Sequence, residues 1–86
     1  MGKYEKLFDQ ILLGTSDANI AIDELFHLLV RLGFNERIRG SHHIFTKDGV
    51  QEMINLQKDG SKAKTYQVRQ VRVVFLKYKL RGELHG

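Results

Sequence analysis

The period of the apolar residues changes at Gly33 and changes back after Gly60, and these two switches constrain the fold more than any other feature of the chain. Before Gly33, residues Tyr4, Leu7, Phe8, Ile11 and Leu12 repeat at helical spacing, predicting a helix over Lys3–Leu13 with Gly14 as its stop. Thr15 to Asn19 is polar turn chemistry. A second helix is predicted from Ile22 to Leu32 on Leu25, Phe26, Leu29 and Leu32, and Gly33 suits the left-handed position just past its end. Between the two glycines the pattern reads as three short strands, 34–39, 41–46 and 51–57, parted by Gly40 and by Lys47-Asp48-Gly49, a hairpin signal. Connections this short imply an antiparallel meander. After Lys58-Asp59-Gly60-Ser61, whose serine can cap a helix, the helical period returns over 64–78. There Val68, Val71, Val74, Phe75 and Tyr78 form the apolar stripe, which leaves Arg69, Arg72 and Lys79 pointing outward.

Each amphipathic element must bury its apolar side, so this order predicts an α+β fold, a three-stranded antiparallel sheet covered on one face by helices and open on the other. With 86 residues the chain is one domain, 1–86, near the size where a single core only just suffices. The absence of cysteine excludes a disulfide framework, thiolate zinc sites and a cysteine nucleophile. No charged segment followed by an apolar run and a small-residue cleavage site opens the chain, and Lys6 stands where a myristoylation signal wants serine or threonine. With no apolar run of membrane-spanning length, the expectation is a cytoplasmic protein that engages no membrane.

Charge is distributed unevenly around a formal net of +4. Residues 1–30 carry five acidic and two basic side chains, whereas 61–82 carry seven basic ones (Lys62, Lys64, Arg69, Arg72, Lys77, Lys79, Arg81) and no acid. Like charges along one helix repel unless something neutralises them, which favours an anionic partner over a merely solvated face. Lys62 and Lys64 stand at a predicted helix start, where they oppose the macrodipole but where backbone N–H groups attract phosphate. Arg37 and Arg39 precede Gly40 and extend the same basic track.

Gly40-Ser41-His42-His43-Ile44-Phe45 delivers a serine and two histidines from a glycine turn into an apolar strand. Imidazole can take and give a proton near neutrality, so a histidine fixed at a strand entrance is a candidate general acid/base. Strand alternation puts His42, Ile44 and Thr46 on one face and His43 and Phe45 on the other, and the pattern alone leaves open which face is core. Ser41 could orient an imidazole or a phosphate, although serine beside glycine is also ordinary turn chemistry. Metal binding is not expected: the remaining histidines, His27 on the polar side of a helix and His85 in the tail, are poorly placed to complete a coordination shell. Asp48 belongs to the hairpin, so no Ser-His-Asp arrangement arises.

The run Gly40-Ser41-His42, then an aromatic at Phe45, set between a leading helix and a basic trailing helix, resembles the HicA family of toxin ribonucleases (YcfA-like mRNA interferases) over roughly Asn19 to Leu80. The resemblance implies a double-stranded-RNA-binding-domain-like (dsRBD-like) α-β-β-β-α core at 19–80, with 1–18 as an added helical extension and 81–86 as a tail. It also implies a type II toxin that cleaves mRNA without metal or other cofactor. His42 would be the catalytic residue; Arg37, Arg39, Ser41, Lys62 and Lys64 would hold RNA, and Gly40 and His43 would give support. The implied partners are mRNA and a HicB-type antitoxin that covers the site, with DNA reached only through the antitoxin. The segment 49–60 lacks the histidine that some relatives carry after the third strand, so no second catalytic residue is carried over. Two other readings fit the residues: an RNA-binding module of the same fold that does not cut, and a protein-interaction domain.

Overall fold

A computed structural model describes residues 2–84 of the chain. Helix α1 (Lys3–Leu13) leads through a single 3₁₀ turn (Asp17–Asn19) to α2 (Ile22–Arg31), followed by strands β1 (Asn35–Arg39), β2 (His42–Lys47) and β3 (Val50–Gln57). Helix α3 (Thr65–Tyr78) and a second 3₁₀ turn (Leu80–Glu83) complete the order. The α+β architecture and the meander thus agree with the sequence reading, with element ends moved by a residue or so. No helix of the described residues is long and apolar enough to cross a membrane.

The sheet order is β1-β2-β3, antiparallel throughout. Phe45, Ile54 and Leu56 point into the helical layer, where they join Leu25, Leu28 and Leu29 of α2 and Val68, Val71 and Phe75 of α3 in one core. Helix α1 is part of that core rather than an appendage: Phe8 and Ile11 are buried, and the Phe8 ring stacks on Phe75 at 4.3 Å between centroids. Gly33 takes φ 97, a backbone conformation that costs residues with a Cβ, and its N–H closes on the Val30 carbonyl to end α2.

Two local expectations are corrected. Arg72 does not point outward. It is largely covered, donating from Nε to the Ile11 carbonyl at 2.6 Å and from Nη2 to Asp17, so it ties the end of α1 and the following turn to α3. Helical periodicity places residue 72 at the border of the stripe, and α1, packed beside α3, turns that border into an interior. Ser61 does not cap α3 either. Residues 61–63 run extended beside the approach to α2, with Ile22 N–H donating to Ser61 O and Ala63 N–H to Ile20 O, and the helix begins after Lys64. Its first turn is closed by Gln67, whose Oε1 accepts the Lys64 N–H at 2.9 Å.

Candidate functional site

Gly40 and Ser41 make the two-residue turn between Arg39 and His42, which face each other in register. Gly40 takes φ 60 while Ser41 does not have positive φ, a pattern that fits the II′ turn, whose twist matches the flanking strands. The turn sets the phase of β2. His42, Ile44 and Thr46 fall on the face away from the helices, and His43 and Phe45 fall inward, because only Phe45 fills the space against Phe26.

His42 is therefore exposed, on the open sheet face, with Arg39 on one side and Gln57 of β3 on the other. Its Nδ1 lies 3.4 Å from Asn55 Oδ1, a long contact, and Nε2 has no hydrogen-bond partner among the described residues. Ser41 Oγ accepts from Gln57 Nε2 at 3.3 Å, and the Ser41 carbonyl accepts the Lys58 N–H at 2.9 Å, so the turn is pinned to the end of β3. Gln67 of α3 donates to the Gln57 carbonyl at 3.0 Å, linking the helix start to the same strand end. Asn55, Gln57 and Lys58 do not stand out in the sequence. The signal for the first two is the alternation Gln51, Met53, Asn55, Gln57, legible only once the core face is known.

His43 is built into the fold. Its ring stacks on Phe26 at 4.0 Å and its Nδ1 lies 2.8 Å from Glu36 Oε2, with 14 % of the side chain exposed. It shares neither face nor partner with His42.

Arg37 and Arg39 lie on the open face, opposite Ile44 and His42 respectively, and neither has an acidic partner among the described residues. Lys62 and Lys64 stand at the same end of the molecule as the Gly40-Ser41 turn, joined to it through Gln57, Lys58 and Gln67. Both are exposed and lightly held: Lys62 Nζ meets Asn19 Oδ1 at 3.3 Å, and Lys64 Nζ lies 3.7 Å from Asp59. Lys58, between them and Ser41, pairs with Asp23 at 2.9 Å.

The surface field follows from which charges are already used. Every acidic residue except Glu36, Asp48 and Glu83 lies in an ion pair with a lysine or arginine among the described residues, whereas Lys6, Arg31, Arg37, Arg39, Lys47, Lys62, Arg69 and Lys79 lie in none. Glu52, at the far end of β3 from His42, is held down to about 2 by hydrogen bonds from Lys77 and Tyr78. The Arg81 guanidinium bonded to Asp9 likewise keeps that carboxyl below its usual range, and the Glu24 carboxylate raises Lys3. None of these acids lies on the open face of the sheet beside His42, where Arg37 and Arg39 stand without an acidic partner among the described residues.

No three metal-ligating side chains converge among the described residues, and His85 lies outside them. A groove of about 550 Å³ between α1 and α2 is lined by Leu7, Ile20 and Ala21 among others and includes no residue of the sheet. His42 stands exposed on the open sheet face, with Arg39 and Arg37 beside it. Comparison of the chain with protein-family models, with curated proteins and with solved structures gives no significant match.

Proposed function

We propose that the chain is a metal-independent endoribonuclease of the HicA toxin type, with a dsRBD-like core, acting on mRNA and restrained by a HicB-type antitoxin. The observation that carries this reading is the grouping, among the described residues, of His42 with the unpaired Arg37 and Arg39 on the sheet face that none of the described helices covers. In the proposed reaction the ribose 2′-oxygen bonds to the adjacent phosphorus while the bond from phosphorus to the 5′-oxygen breaks, leaving a 2′,3′-cyclic phosphate and a free 5′-hydroxyl. The exposed imidazole of His42 removes the 2′-hydroxyl proton or protonates the leaving oxygen, a role worth roughly 10²- to 10⁴-fold in rate. Arg39, directly across the strand pair, supplies positive charge beside the phosphorus centre. Lys62 and Lys64 continue the track for the flanking backbone, and Ser41, held by Gln57, orients the turn.

A non-catalytic RNA-binding module is the second reading, favoured by one observation: among the described residues no carboxylate is hydrogen-bonded to His42 to tune it. Expression in cells separates the two. The toxin reading expects the chain alone to arrest growth, the His42→Ala variant to be tolerated, and a bound antitoxin to compete with RNA. Tolerated expression of folded, unmodified chain without a partner would leave only the binding module.

A further inference from the structure

Helix α3 carries a second apolar stripe that none of the described residues covers. Tyr66, Val73 and Leu76 are 60–61 % exposed, on the side of the helix away from its buried residues Val68, Val71, Val74 and Phe75. At 3.6 residues per turn the three fall within about 80° of arc. Scattered surface apolar residues need no explanation, but a stripe at helical spacing that runs into a groove does. That groove, about 310 Å³ between α1 and α3, is lined by Phe8, Leu12, Phe75, Leu76, Lys79 and Arg81.

The charges beside the stripe indicate what covers it. Arg69 lies within the arc and Lys79 at the groove, and neither has an acidic partner among the described residues. A second copy of this chain is a poor match. Its acids, Asp48 and Glu83 apart, are engaged within their own molecule, and two α3 faces brought together would set Arg69 and Lys79 against their own kind. RNA is also a poor match, because a hydrated phosphate backbone offers Val73 and Leu76 no apolar surface to be buried against. We propose that the outer face of α3 docks an acidic amphipathic helix of a partner protein. Its apolar side rests on Tyr66, Val73 and Leu76, and its carboxylates meet Arg69 and Lys79. This surface lies across the sheet from His42, so the inference does not depend on the ribonuclease reading, and docking leaves His42 accessible.

The test uses the full chain and an amphipathic peptide of about 20 residues, long enough to hold helix, with leucine at i, i+3, i+4 and i+7 and glutamate elsewhere. Amide spectra recorded during titration should shift at Tyr66, Arg69, Val73 and Leu76 and not at Gly40 to His43. The Val73→Glu/Leu76→Glu variant should bind about tenfold or more weakly. Arg69→Glu, which alters charge without touching the core, should weaken binding while preserving the amide spectrum, and a peptide with lysine in place of glutamate should bind less well than the acidic one. Any of four results overturns the proposal: no saturable binding; equal affinity for both peptides; RNA shifting the amides of Val73 and Leu76, far from Lys62 and Lys64; or concentration-dependent dimers in sedimentation that the double variant abolishes.

Discussion

Replacing Arg72 with alanine removes two interactions at once, the bond to the Ile11 carbonyl and the ion pair with Asp17. Bonds to charged groups contribute roughly 1.5–3 kcal/mol, and breaking a fully buried pair costs roughly 3–5 kcal/mol. Neither partner is fully buried: the Arg72 and Asp17 side chains keep 19 % and 17 % exposure, so water recovers part of the loss. We expect a net cost of about 2–3 kcal/mol, which for a domain this size lowers Tm by roughly 10–20 °C. Arg69, three residues earlier and unpaired, is the internal control: Arg69→Ala should stay within about 0.5 kcal/mol of the parent. Thermal melts and urea titrations of the two variants measure the contrast. A double-mutant cycle with Asp17→Ala should return a coupling of about 1–2 kcal/mol. Equal stability of the Arg72 and Arg69 variants would refute the argument that α1 is fastened to α3 through this guanidinium.

Other perturbations read other parts of the molecule. Replacing both Lys62 and Lys64 with alanine should weaken RNA binding alike for all sequences and reduce the slope of log affinity against log salt by about 0.7 for each lysine–phosphate interaction removed on a single strand, measured by fluorescence anisotropy. Folding lowers the Glu52 carboxyl from its ordinary 4.5 to about 2, so its stabilising contribution is complete above 4.5 and fades as pH falls towards 2. Urea midpoints across that window should fall less steeply for Glu52→Gln than for the parent. Gly40→Ala forces a Cβ into a left-handed backbone position, which should cost about 1–2 kcal/mol by urea titration even though nothing lies within 4 Å of the new methyl group.

Much of the fold is legible in the sequence because the local signals agree with one another. The helical repeat of α1, the period-2 segment between Gly33 and Gly60, and the glycines at the turns each specify one element, and the short connections leave little choice of topology. What escapes is tertiary. Arg72 and Ser61 are misread because the packing of α1 against α3, and the extended run of 61–63 beside the approach to α2, are pairings between distant segments that no local period records. The face of β2 is undecidable from the strand itself, since Ile44 and Phe45 put one apolar residue on each side. Phe26 decides it, by taking Phe45 and the His43 ring. Once that face is known, Asn55 and Gln57 follow as neighbours of His42 from alternation alone.

The ribonuclease reading meets its most direct test in one measurement. Purified chain is incubated with labelled single-stranded RNA in excess chelator, beside the His42→Ala variant, with circular dichroism on the same preparations. The account predicts cleavage by the parent that the chelator does not suppress, fragments ending in 2′,3′-cyclic phosphate, and no cleavage by an equally folded His42→Ala protein. Undiminished cleavage by that variant would remove His42 from the chemistry, and intact RNA with folded parent protein would contradict the enzyme itself.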